Sequence, residues 1–248
     1  MKNLQKQRKA GKKMKVLAID SSGLVATVAV VEDDNTLAEY TVNYKKTHSQ
    51  TLLPMLDEIA RMTELDLNSI DAVAVAAGPG SFTGLRIGSA TAKGLGLALD
   101  KPLVEVPTLE GLAYNLWGTD RLVCPMMDAR RGQVYTGIYR FREDGLEVLE
   151  GQMAVPVKEL TEKINEMGQE VIFLGDGVPV HRQTLQENVE VPYRFAPAHL
   201  NKQRASAVAC LALQYLAEGR IVSARDHRPD YLRMSQAERE RAEREKTC

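Results

Sequence analysis

The chain has 248 residues, 44% of them hydrophobic and 26% charged, enough apolar material for one large core or two ordinary ones and too much for a disordered chain. Its 32 Lys and Arg nearly balance its 33 Asp and Glu, so a formal charge of −1 supplies no global attraction to nucleic acid or lipid, and any RNA contact must be local or through a partner. No apolar run approaches the roughly 18 residues of a membrane span, and Cys124, Cys210 and Cys248 lack metal-ligand spacing, which fits a reducing, cytoplasmic setting.

Residues 1–13 carry six Lys or Arg without an apolar segment and are expected to be a disordered basic extension rather than a secretory signal. An apolar strand over 15–20 ends at Asp20, turns through Ser21-Ser22-Gly23 and pairs with a second strand over 24–31. A third strand is expected over 36–44. An amphipathic helix follows over 48–62, its broad apolar face including Leu52, Leu56 and Ile59, with Pro54 best suited to a first turn.

The strand expected over 71–77 runs straight into Gly78-Pro79-Gly80-Ser81-Phe82-Thr83-Gly84-Leu85-Arg86-Ile87-Gly88, which opens a helix over 81–99. In that helix Gly84, Gly88, Ala92 and Gly96 recur at every fourth position and form a smooth stripe. Each interior Gly costs ~1 kcal/mol relative to Ala, so these glycines together with Gly94 remove roughly 3 to 4 kcal/mol of helicity that some close approach must offset. The approaching backbone could be a partner's helix or the chain's own sheet. A phosphate cradle is a third option, weakened because Pro79 removes a donor and no Gly-Lys-Ser/Thr follows.

A strand over 102–106 and a helix opened by Thr108 complete a first lobe over 14–117. The second half repeats the rhythm over 118–224. Its strands fall at 122–127 (ending at Asp128), 133–140, 146–153 and 171–174, and its helices at 157–167 and 205–217, the latter stopped by Gly219. Residues 225–248 read as a charged tail, alternating Glu and Arg over 235–246. Three meandering strands followed by helix-linked parallel strands, given twice, predict an α/β fold of two RNase H-like lobes, mixed sheets flanked by helices, on the plan of the actin and sugar-kinase (ASKHA) superfamily. In active members, two Asp-bearing hairpins hold ATP phosphates and magnesium between the lobes.

The segments 16–22, 48–54, 78–88, 127–135 and 229–238 together resemble the bacterial TsaB (YeaZ) family over nearly the whole of 14–238. The resemblance implies a role in forming threonylcarbamoyladenosine next to the anticodon of tRNA. It further implies a non-catalytic subunit that supports a paralogous transferase, TsaD, as a heterodimer, with the P-loop ATPase TsaE as a third component. Homodimers through the first-lobe helices are implied too, and tRNA is then met only through the complex.

The residues agree with that expectation in their own terms. His48, His181, His199 and His227 are nowhere four apart, so no helical histidine pair can ligate a metal, and no catalytic residue is identified. His48 is expected as a polar cap or interface hydrogen bond, and the other three as surface residues. Asp128 is followed by Ala129, Arg130 and Arg131 where a phosphate-binding turn needs small residues, and an Asp128–Arg130 ion pair across the cleft is expected instead. Asp20, Ser21 and Ser22 remain as half of a vestigial nucleotide site, with Gly175 and Gly177 beside an adenine position. No tightly bound cofactor is expected, and ATP or ADP only where subunits meet. The partner surface is expected at Leu52, Met55, Leu56 and Ile59 of one helix and Gly84, Ile87, Gly88 and Thr91 of the next, so that Gly88→Arg breaks dimerisation and leaves the fold intact. Two rival readings are an active ATPase or small-molecule kinase and an RNA-binding module. The second is disfavoured because aromatics are only 5% of residues and the basic side chains are dispersed outside the extension and tail.

Overall fold

The computed structural model describes residues 13–44, 47–143 and 145–233. The basic extension up to residue 12 and the alternating Glu/Arg stretch of the charged tail over 235–246 lie outside the described residues. Strands β1 (Lys15–Asp20), β2 (Ala26–Glu32) and β3 (Asn35–Val42) form an antiparallel meander, and β4 (Ala72–Gly78) and β5 (Leu103–Pro107) add in parallel on the other side of β1, giving the order β3-β2-β1-β4-β5. The second sheet repeats this with β6 (Leu122–Asp128), β7 (Gln133–Arg142), β8 (Gly145–Pro156), β9 (Val171–Leu174) and β10 (Tyr193–Phe195), ordered β8-β7-β6-β9-β10. Two sheets of identical order are the duplicated RNase H-like plan that the sequence predicts. Strand β10 was not predicted, because three half-exposed or exposed residues carry no readable alternation.

All seven residues of β4 are buried, as a strand covered on both faces requires. One cover comes from helices α1 (His48–Met62) and α2 (Phe82–Ala98), which bring Leu52, Met55, Leu56, Ile59 and Ala92 onto Leu17, Ile19, Val28, Val73 and Val75. Pro54 sits in the second turn of α1 rather than the first, on its solvent side. The N-terminus of α2 is capped by Ser81, whose Oγ accepts the Gly84 N–H at 3.3 Å. A short helix, α3 (Thr108–Ala113), lies between the sheets, and its Leu109, Leu112 and Ala113 pack with Val123, Met127, Tyr139 and Leu174 of the second lobe. Helices α4 (Val157–Met167) and α5 (Gly177–Asn188) cover the second sheet. The sequence reading missed α5, whose weakly amphipathic segment follows a Gly-Asp-Gly turn and carries Pro179 in its first turn, where proline is compatible with a helix.

Chain order and spatial order part at α6 (Ala205–Ala217). Sequence places it in the second lobe, yet Val208, Ala209, Leu211, Ala212 and Tyr215 pack on Val16, Ala18, Ala29, Ala72, Ala74 and Val104, the face of the first sheet opposite α1 and α2. Its alanines let the helix sit close to a sheet of small residues. Glu39 on β3 fixes the return: its carboxylate accepts the Ser206 N–H at 3.0 Å and the Ser206 hydroxyl at 2.7 Å, and pairs with Arg204 at 2.5 Å. Burial opposes the charge on Glu39, but Arg204 and Ser206 outweigh it and hold the carboxyl below its ordinary range.

Residues 220–233 then run back along the first lobe as a strap, and its described part is not a free tail. Val222 exchanges backbone hydrogen bonds with Leu103, both 2.9 Å, and the Asp230 N–H donates to the Ala77 carbonyl at 2.7 Å. Among the described residues, no helix is long and apolar enough to cross a membrane.

Candidate functional site: the cleft and its two Asp-bearing turns

A cleft of about 370 Å³ separates the lobes. One wall is the β1–β2 turn with His48 and Pro79 to Phe82, the other is Met127 to Arg130 with Tyr135 and Asp176, and the strap contributes Asp230 to Arg233. A larger cavity of about 780 Å³ beside α6, lined by Tyr114, Trp117 and Cys210 among others, includes neither Asp-bearing turn.

The first turn is tied inward through Asp20, Ser21 and the Ser22 backbone, while the buried Ser22 hydroxyl has no hydrogen-bond partner among the described residues and Leu24 is exposed. Asp20 is buried and its Oδ1 accepts the Ser22 N–H at 2.8 Å. Burial pushes its carboxyl above the usual carboxylate range, against the pull of Ser22 and of His48. The Ser21 hydroxyl donates to the Gly84 carbonyl at 2.9 Å, and the Ser22 carbonyl accepts the Ser81 N–H at 2.6 Å. His48 begins α1 and its Nε2 lies 2.8 Å from the Gly23 carbonyl, a polar contact within the lobe. Of the groups that the sequence assigned to half a phosphate site, the Ser21 hydroxyl and the Ser22 carbonyl are thus engaged in joining β1 to α2, and the Asp20 carboxylate in closing its own turn.

The glycine stripe serves the same join. A Cβ at Gly84 would collide with the Ser21 carbonyl, one at Gly88 with the Ser21 hydroxyl, and one at Gly96 with Leu103. The close approach inferred from sequence is therefore to the chain's own first lobe. This corrects two expectations. Leu52, Met55, Leu56, Ile59, Gly84 and Gly88 are buried inside the lobe, so none of them is exposed for a partner, and Gly88→Arg cannot leave the fold intact. Ile87 and Thr91 remain half-exposed, the Thr91 hydroxyl donating to the Ile87 carbonyl at 2.9 Å. Among the residues that α2 presents to solvent are Ala90, Gly94 and Leu97, and a Cβ at Gly94 would meet no described residue within 4 Å. Leu53 of α1, Met62 and Leu97 are exposed apolar side chains on these helices.

The second turn is built differently. Arg130, Arg131 and Gly132 all adopt positive φ (66°, 55° and 72°), and Ala129 and Gln133 close the turn with a 3.0 Å backbone bond. The Arg130 guanidinium lies 3.2 Å from Asp128 Oδ2, as the sequence reading required, but its side chain is 86% exposed, so the pair sits on the turn rather than across the cleft. Gly175 and Gly177 bring the start of α5 against the Met126 carbonyl, a packing role that leaves Asp176 Oδ1 accepting the Asp128 N–H at 3.3 Å. Burial raises the Asp176 carboxyl, and the positive charge of Lys202 opposes it. His181 Nε2 stands 3.7 Å from Asp128. His181 and His227 are largely buried, contrary to expectation, His227 Nδ1 lying 2.6 Å from Glu105, whereas His199 is exposed as expected. Among the described residues no cluster of His, Cys, Asp and Glu has the arrangement of a metal site.

The family model for TsaD, tRNA N6-adenosine threonylcarbamoyltransferase, matches residues 35–241. The chain is 34% identical to the tRNA threonylcarbamoyladenosine biosynthesis protein TsaB of Bacillus subtilis over 91% of its length and 96% of that protein. It is 32% identical to TsaB of Escherichia coli over 89% and 95% of the two chains. The solved structure of YeaZ from Pseudomonas aeruginosa superposes with a TM-score of 0.75 at 26% identity, covering 88% of this chain and all of that one. With two RNase H-like sheets of the same order and these relatives across nearly its full length, the chain belongs to the TsaB (YeaZ) family of tRNA threonylcarbamoyladenosine biosynthesis proteins, within the range of the TsaD-type family model.

Proposed function

We propose that this chain is a non-catalytic subunit that supports a TsaD-type transferase by binding it through the outer face of α2 and the neighbouring part of α1. The carrying observation is Gly94. An exposed helical glycine costs ~1 kcal/mol against Ala, and nothing among the described residues occupies the space beside it. Gly84, Gly88 and Gly96 have neighbours that explain them; Gly94 is accounted for by a second chain that approaches the helix closely. Ile87, Ala90, Thr91 and Leu97, within two turns of it on the same helix, form the contact together with the exposed Leu53 of α1, and the buried residues that sequence assigned to it drop out. The same face supports a homodimer when the partner is absent. A TsaE-type ATPase completes the assembly in the cytoplasm.

The engaged first turn and the arginine-filled second turn support a cleft without a catalytic role and without a tightly held nucleotide, any ATP or ADP belonging where subunits meet. Reconstitution tests this reading: tRNA, threonylcarbamoyl-adenylate, the TsaD-type partner and the TsaE-type ATPase, with this chain present, absent or alone. Modification that needs both this chain and the partner, with none from this chain alone, is the expected result, and unaided modification or ATP turnover by this chain would overturn it. Gly94→Arg is expected to abolish capture of the partner while unfolding no lower than the wild type, since its side chain enters open space and Arg favours a helix more than Gly does.

A further inference from the structure

The strap gathers cations that are far apart in sequence. It runs antiparallel to α2, so Tyr231 meets Arg86, Arg225 and His227 meet Lys93, and Arg225 shares a groove with Lys101. Lys93 Nζ donates to the carbonyls of Arg225 and His227, both at 3.2 Å, and Arg228 Nη1 donates to the same two carbonyls, both at 2.8 Å. Two positive groups on one pair of acceptors stand about 6 Å apart at most, where like charges repel. Among the described residues, neither is matched by a carboxylate in an ion pair, and the same is true of Arg86, Lys101, Arg225 and Arg233. Of the acids in the region, Asp226 takes the Ser223 hydroxyl at 2.6 Å, Glu105 faces His227, Asp100 lines the same groove as Lys101 and Arg225, and Asp230 is exposed next to Tyr231, so the six cations outnumber these four acids.

At one end of this ridge the Arg86 guanidinium lies 4.0 Å from the centre of the Phe82 ring, and Phe82 stacks on the exposed Tyr231 with centroids 4.9 Å apart. A row of unmatched cations ending in an accessible aromatic pair is the surface chemistry of a polynucleotide site, in which phosphates meet the cations and a base stacks on a ring. An enclosed pocket for a free anion is a poorer match, because Arg225 and Arg228 are exposed. We propose that the ridge formed by α2 and the strap binds the phosphodiester backbone of RNA, with Lys93 and Arg228 as its centre. This goes beyond the reading above, in which tRNA meets the chain only through its partner, and it places the RNA contact beside the Gly94 face on the same helix.

The test is binding of an unmodified tRNA transcript by the full chain alone, measured by fluorescence anisotropy across a salt series, with inorganic phosphate titrated in parallel. The Lys93→Gln/Arg228→Gln double variant should lose about tenfold in tRNA affinity at low salt. The slope of log K against log salt should become shallower by about 1.5, the release expected from two lost phosphate contacts. Arg225→Gln, whose side chain has no hydrogen-bond or ion-pair partner among the described residues, should move both readouts by about half as much and guards against a double variant that fails to fold. Unchanged affinity and slope in Arg225→Gln and in a folded double variant would overturn the proposal, as would a wild-type chain that binds no tRNA. Saturable binding of inorganic phosphate without tRNA would overturn it in favour of a free-anion site. Retained tRNA binding with lost partner capture would assign the ridge to an acidic protein surface instead. Partner-dependent activity is measured separately, so failure of the subunit reading leaves this result standing.

Discussion

The turns after β1 and β6 occupy equivalent places in two sheets of identical strand order, each following a strand that ends in Asp. In the first, Ser21 and Ser22 bond to Gly84 and Ser81, and glycines on α2 let that helix approach within reach. In the second, Arg130 and Arg131 stand in the left-handed region and turn the chain out to solvent. Duplication therefore preserved the sheets and not the turns. One turn has become part of a core and the other a surface loop.

The largest effect that separates the two turns is expected from Gly88→Arg. The added Cβ alone collides with Ser21, and overpacking of this kind costs about 1 to 3 kcal/mol or more, so the protein should be insoluble or melt well below wild type in a thermal scan. A melt matching that of Gly94→Arg would mean that the join between α2 and the first turn is looser than its geometry.

Asp20→Asn should act through pH. Burial raises the folded carboxyl above its ordinary value of 3.8, so the folded state holds the proton more tightly and wild-type stability falls as pH rises from about 3.8 through the raised value. The Asn variant, which still accepts the Ser22 N–H, should be the more stable protein at pH 7 by several degrees, with the difference shrinking as pH drops below 4. A difference independent of pH would show that the carboxyl's charge is not what burial penalises.

The smallest effects belong to the second turn. Arg130→Ala removes a largely exposed ion pair and should change stability by less than about 1 kcal/mol. Arg131→Gly relieves a positive φ and should stabilise by up to about 1 kcal/mol by chemical denaturation. A large loss from either would make that turn a packed element like the first.

Much of the fold was legible because its signals are local. Helix α1 was read to the residue from the spacing of Leu52, Leu56 and Ile59, and α4, β9 and α6 likewise, each bounded by a cap or a turn. Helix α5 and strand β10 were missed because one is weakly amphipathic and the other very short. Of the candidate site, the Asp128–Arg130 pair, though not its place across the cleft, and the need for a close approach at Gly84 and Gly88 follow from the sequence. The partner surface was not. A helix face wide enough for a core and a partner looks uniform in sequence, and burial alone divides Leu52 from Leu53 and Gly88 from Gly94.

Sequence by itself determined all but two of the main elements, their twofold repetition and the family, because periodicity, turns and capping act over a few residues and motifs are read in line. Only the tertiary structure decided that α6 covers the first sheet, which turn is buried, and that Arg225 and Arg228 stand beside Lys93. Those outcomes depend on which apolar faces remain to be covered once the sheets have formed. That competition for burial joins residues more than a hundred positions apart and leaves no mark on the local pattern.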